Sequence, residues 1–369
     1  MWSSCLQTEA CIISQAKATQ LTVNLTPSTL YRMEEEYIEN NNFTLSEDIN
    51  GPLLAAVIGV EMVAGLIANI FVLTLSCFHC ETYKKPSTIF LTNMLVANLI
   101  IIVVVMPFSI ATCVSGEWIF GSTVSSKLAS CEAMGTLFGW STLIATESLV
   151  LLSFDRFFFI VKAGKYNEHM TVKKALIIVA ASWILAAILV SPPQYGFGGF
   201  VFANSYGLCG PNFRSVGFSV YGFFIIGSLI ISIVVTSLWT YCYTKKFIKE
   251  MNSRMLRESV YFSQHTKLVG IFGTLIIVHI FCYSLFLSVS VVRPFVAIPR
   301  QLWATTLVFL LLITILSPLV QSYFRSETRN FIQNLLLKIR LSKSHPTLPT
   351  RMTVTSLIKL KAPSQTLSE

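Results

Sequence analysis

Residues 151–161 read LLSFDRFFFIV, an Asp–Arg pair set inside an apolar and aromatic run. What such a pair can be depends on the solvent around it, and composition settles that. The chain has 369 residues, 53% hydrophobic and 12% charged, with a mean hydropathy of +0.66; soluble domains carry about 25% charged residues. Apolar runs of the roughly 20 residues that a bilayer-spanning helix needs recur along the sequence. They are too long and too continuous for barrel strands, which alternate over about ten residues. The sequence therefore predicts an all-α membrane protein, a seven-transmembrane helix bundle with spans at 52–78, 87–113, 128–159, 175–195, 215–245, 267–292 and 301–324. Asp155 and Arg156 then fall near the end of the third span.

Charge orients the bundle. With the N-terminus outside, all of the 27 Lys and Arg except Lys17, Arg32, Lys127, Arg214, Arg293 and Arg300 lie on the cytoplasmic side, as the positive-inside rule requires. The net charge of +9 therefore speaks for membrane lipids of the cytoplasmic leaflet and not for nucleic acid. The segment 1–51 is read as extracellular and glycosylated. It is acidic at Glu34, Glu35, Glu36 and Glu39 and carries sequons at Asn24 and Asn42. Its first dozen residues lack the regions of a cleavable signal peptide, so the first span is expected to direct insertion. No repeat is visible, against a transporter of duplicated halves. Among nine cysteines, Cys131 and Cys209 stand on the oxidising side where they can meet; Cys5 and Cys11 stand there too, with their pairing open. No cysteine spacing suits a metal.

Several short motifs fall on this frame in order. Span one contains GLIANIFV (65–72) and the first outer loop WIFG (118–121). Cys131 stands 25 residues before Arg156, Trp183 ten before Pro193, and Ser317-Pro318 lies in span seven. In these motifs and spacings the chain resembles the rhodopsin-like (class A) G-protein-coupled receptors over about residues 52–335. The resemblance implies a disulfide from Cys131 to Cys209, and an Arg156 held at rest by Asp155 and freed to meet a heterotrimeric G protein. It also implies a polar switch network around Asn69, Asn98, Ser317, Pro318 and Gln321. The departures are informative. Asn98 stands where the family has Asp, Phe157 where it has Tyr, and Gln321 where it has Tyr. Span six reads HIFCYSL (279–285), with Tyr283 in place of the usual Trp and Leu285 in place of Pro; span five has no proline.

Each candidate has a plainer alternative. Asp155 and Arg156 also suit an interfacial charge pair. Asn98 is expected to hydrogen-bond Asn69 and Ser317; being neutral, it predicts weak sodium sensitivity, since a cation wants a carboxylate. His279 is a candidate protonation switch, although a neutral, hydrogen-bonded histidine is commoner. The ligand pocket is expected among spans three, five, six and seven, lined by Phe138, Ser141, Thr142, Tyr283, Phe286, Ser290 and Trp303, with Arg293 and Arg300 at its rim. Phe138 lies 18 residues before Arg156, where the family's amine receptors place Asp, and Leu311 lies where opsins place the retinal lysine. Neither an aminergic salt bridge nor a retinal cofactor is expected. Glu132 reads as solvated, while Glu61 and Glu147 need bundle partners or a proton. Lys245, Lys246, Lys249, Arg254 and Arg257 form a basic inner loop. Residues 325–341 suit an interfacial helix, and 342–369 a disordered tail for a receptor kinase and arrestin. Palmitoylation of that tail is excluded, since no cysteine follows Cys282.

The expected function is a plasma-membrane receptor that transduces an extracellular ligand, or ligand-free basal activity, to heterotrimeric G proteins. No nucleophile–base pair or metal set suggests an enzyme. The alternatives are a seven-span scavenger or partner subunit that no longer signals and, further off, a channel or transporter.

Overall fold

The computed structural model describes residues 43–78, 85–161, 166–212, 216–253, 260–292 and 298–324. Span one is Gly51–Phe78 and span two Pro86–Ser115. Span three is Val124–Val161 and span four Val172–Val190. Span five is Val216–Ser253 and span six Val260–Val292. Span seven comprises Arg300–Leu311 and Ile313–Phe324. Among the described residues six of these are long and apolar enough to cross a membrane on composition alone. Span three buries Glu147, Asp155 and Arg156 inside the bundle, while Lys127 and Glu132, near its first turns, stay partly exposed. The other spans turn large apolar side chains outward, such as Val60, Phe224 and Ile231, as a lipid solvent allows.

Prolines set the local departures from regular helix. Span four stops at Val190, short of the predicted 195, and Pro192–Tyr195 form a 3-10 turn; a proline lacks the N–H that would continue the ladder. In span two a π-helical stretch, Ile101–Val105, precedes Pro107. Spans five and six contain no proline and run unbroken. Span seven, read as one run, is interrupted at Leu312.

Pro318 explains the tie between spans one and seven. Without an N–H it leaves the carbonyl of Thr314, four residues earlier, free. Asn69 Nδ2 donates to that oxygen at 2.7 Å and to Gly65 O at 2.7 Å. Gly65 permits the approach, because a Cβ there would lie 3.1 Å from both Ile102 and Thr314 side-chain atoms. Asn69→Ala leaves a buried carbonyl unpaired, at a cost of about 1–3 kcal/mol; the expected result is a lower thermal midpoint with unchanged helix content by circular dichroism.

The end opposite Asp155 is closed by a two-stranded hairpin, β1 (Phe200–Ala203) and β2 (Leu208–Pro211), in which Phe202 pairs with Cys209. Cys209 is disulfide-bonded to Cys131 at the start of span three. Gly207 turns the hairpin at φ 63°, where a Cβ would come within 2.8 Å of Cys113 Sγ. Trp118 is fully buried against Phe43, Phe108, Phe120 and Phe202, its indole donating to Ser130 Oγ at 2.9 Å. Residues 43–50, assigned from sequence to a separate N-terminal segment, are stitched onto this cap: Trp118 N–H donates to Phe43 O, Leu45 N–H to Gly116 O and Ser46 N–H to Asn204 O.

Candidate functional site

At the end of span three opposite the hairpin the charge pair is caged. Asp155 is fully buried and Arg156 is 5% exposed. Arg156 Nη2 donates to Asp155 Oδ2 at 2.9 Å, and the Tyr166 hydroxyl donates to Asp155 Oδ1 at 2.6 Å. The guanidinium lies 5.6 Å from the Phe159 ring centroid, and Phe159 packs edge-on against Tyr166. Burial and the adjacent Asp155 carboxylate push the Tyr166 phenol well above its ordinary range, so it remains a donor. Tyr166 was not singled out from sequence. Its only signal is a hydroxyl-bearing aromatic a short loop beyond the pair, and the contact requires the chain to fold back. Phe157 makes edge-on contacts with Phe158 and with Trp239 of span five, at 5.7 and 5.4 Å.

The interior polar residues are buried but not bonded as predicted. Asn98 has no hydrogen-bond partner on either side-chain atom, nor does Ser317 Oγ, nor either side-chain atom of Gln321. The direct bond from Asn98 to Asn69 and Ser317 is therefore corrected: Asn69 Nδ2 is committed to the carbonyls of Gly65 and Thr314, and Asn69 Oδ1 is unpartnered like Asn98. This set is amide and hydroxyl throughout, and it does not fit a sodium site, which needs a compensating charge. His279 Nδ1 lies 2.8 Å from Leu275 O, its Nε2 is unpartnered, and its ring stacks on Tyr283 at 6.1 Å. Tyr283 OH lies 3.3 Å from Thr146 Oγ1.

A cavity of about 170 Å³ lies among spans three, four, five and six beneath the hairpin. Phe138, Thr142, Tyr283, Phe286 and Ser290 line it. Ser141 and Trp303 do not: Ser141 is fully buried and donates to Leu137 O, and Trp303 packs edge-on to Phe286 from within the core. The larger share of the wall that sequence missed comes from span five and β1, notably Phe200, Phe218, Tyr221 and Ile225. No charged side chain lines the cavity among the described residues, and the Thr142 and Ser290 hydroxyls are buried without partners. Arg300, placed from sequence at the rim, instead latches the N-terminal segment, 2.8 Å from Asp48 Oδ2 and 2.8 Å from Ser46 Oγ. Glu132 accepts from Gln194 Nε2 at 3.3 Å. Arg293, Asn24, Asn42, Cys5, Cys11, Arg254, Arg257 and residues 325–369 lie outside the described residues.

Residues 68–321 match a family model described as 7 transmembrane receptor (rhodopsin family). Among relatives, the chain is 28% identical over 137 residues to an alpha-2 adrenergic receptor of Carassius auratus, covering 37% of this chain and 30% of that one. It is 26% identical over 143 residues to an octopamine receptor of Heliothis virescens, covering 39% and 28%. The chain thus spans about a third of the length of such relatives. Squid rhodopsin shares the fold at a TM-score of 0.69 and 17% identity, covering 83% of this chain and 94% of that one.

Proposed function

Since the chain belongs to the rhodopsin family of seven-transmembrane receptors, we propose that it couples an uncharged, largely apolar extracellular ligand to a heterotrimeric G protein at the plasma membrane. The observation that carries the coupling is the Asp155–Arg156–Tyr166 cage. It holds a cation at the inner end of the central helix by contacts that one conformational change can release, and a ligand favouring the released state shifts the balance by its differential affinity.

The relatives' names point to amines, but the cavity supports a different ligand class. An amine buried among apolar walls needs a carboxylate, and Phe138 occupies that wall here. Two free hydroxyls, Thr142 and Ser290, leave room for one or two hydrogen bonds to an apolar body. Activation of each G-protein class in cells expressing the full chain tests the reading, with and without Arg156→Ala. The expected result is basal output above mock-transfected cells that Arg156→Ala removes. Output at the mock level despite verified surface expression, or output indifferent to Arg156→Ala, supports the silent scavenger or partner subunit instead.

Sodium gives a second check on the interior. Replacing about 150 mM NaCl by an organic cation is expected to leave basal signalling unchanged, in the unaltered chain and in Asn98→Ala alike. Asn98→Asp is expected to introduce sodium suppression.

A further inference from the structure

A second cavity, of about 380 Å³, opens on the outer face of the bundle between spans three, four and five. Leu185 and Phe224 in its wall are 50% and 76% exposed, so it faces lipid. Among the described residues Glu147 is its only charged group. Glu147 lies nine helical positions before Arg156, about 14 Å at 1.5 Å per residue, which puts the carboxyl well inside the hydrocarbon layer. The residue is 4% exposed, and neither carboxyl oxygen has a partner. The nearby donors are committed elsewhere: Ser182 Oγ donates to Val179 O, Ser228 Oγ to Ile225 O and the Tyr221 hydroxyl to Leu189 O.

A buried carboxyl without a donor is costly in lipid, and the remaining wall residues are hydrocarbon. A proton on the carboxyl removes the charge; a donor that pairs with the charged form, absent from the described wall, can come from a molecule dissolved in the bilayer. We propose that this cavity is an intramembrane binding site for a lipophilic amine, its ammonium paired with Glu147 and its apolar body lying between Leu185 and Phe224. The Ser182 and Ser228 oxygens keep free lone pairs for the remaining ammonium N–H groups. An alcohol brings one donor and no charge, and an anionic amphiphile is repelled. Leu189, Tyr221 and Ile225 line both cavities, so an occupant of the outer one presses on the wall of the inner one. The site stands apart from the proposed coupling and does not depend on it.

The test uses the full chain in lipid nanodiscs, irradiated with a diazirine-bearing dodecylamine or the matched dodecanol, with labelled residues mapped by mass spectrometry. Amine labelling is expected to saturate, to concentrate on the segments holding Glu147 and Phe224, and to be competed by unlabelled dodecylamine. In Glu147→Gln it is expected to fall about tenfold, the worth of one strong polar contact in a membrane, with dodecanol labelling unchanged. Leu185→Trp fills the cavity and keeps the carboxyl, and it is expected to give the same fall; it decides the matter if Glu147→Gln folds poorly. Even labelling around the lipid face, equal saturable labelling by dodecanol, labelling centred on Phe138, or undiminished labelling in a folded Glu147→Gln overturns the proposal.

Discussion

Asp155→Asn is expected to raise ligand-free G-protein activation about tenfold at matched surface expression, a shift of roughly 1.4 kcal/mol between the two arrangements. Arg156 is almost fully buried beside Asp155, so losing the carboxylate leaves a guanidinium with neither counter-ion nor water in the caged state. Breaking a buried pair from one side costs about 3–5 kcal/mol. Only the part of that cost confined to the caged state appears as activation, which is why the smaller figure is expected. Tyr166→Phe removes one hydrogen bond to the same carboxylate and leaves the ion pair, so it is expected to raise basal output less. Phe159→Ala removes the ring near the guanidinium but leaves both polar contacts to Asp155 in place, and should rank last. Basal output unchanged in Asp155→Asn, or a larger rise in Tyr166→Phe than in Asp155→Asn, would show that the cage does not hold the resting state.

The second large effect concerns the opposite end. Cys131→Ser is expected to remove most surface expression and to lower the thermal midpoint of purified protein by several degrees. The bond to Cys209 closes a separation of 78 residues, and loss of a native disulfide typically costs about 2–5 kcal/mol. More than the unfolded chain is affected here. Cys209 pairs with Phe202 in the hairpin, and Phe202 packs on Trp118 and Phe43, so the bond anchors the whole cap to the central helix. Cys242→Ser, which changes an exposed free thiol, is the control and should leave both measurements unchanged. A Cys131→Ser protein with wild-type surface level and midpoint would show that the hairpin docks without its covalent anchor.

Much of this architecture was legible from the residues in order. A bilayer selects each helix separately by length and apolarity, so the apolar runs gave the extent of spans one, two and seven without knowledge of their neighbours. The helices of spans five and six instead run eight and seven residues past the predicted 245 and 267, into polar sequence that an apolar window does not count. Span four was read too long because Pro192 and Pro193 were taken inside an apolar window that their missing N–H groups terminate. The position of Asp155 and Arg156 followed from counting along one helix. So did the shared compartment of Cys131 and Cys209.

Contacts between helices were a different matter. Ser141 and Trp303 were assigned to the ligand cavity because they lie at the right depth, yet depth does not say which way a helix is rotated. Ser141 turns into the helix packing and Trp303 into the core. Arg300 lies at the rim by position, but its partner Asp48 sits more than two hundred residues away in sequence, on a segment that folds back over the bundle. The carbonyl that Asn69 satisfies is freed by Pro318 on another span. Tyr166 reaches Asp155 only once the inner loop has closed. The sequence by itself determined the solvent, the number of crossings and the depth of each charge, because lipid acts on one helix at a time. Helix rotation, partner choice and the two cavities were decided by tertiary structure alone, because packing acts on pairs of surfaces that the linear order leaves far apart.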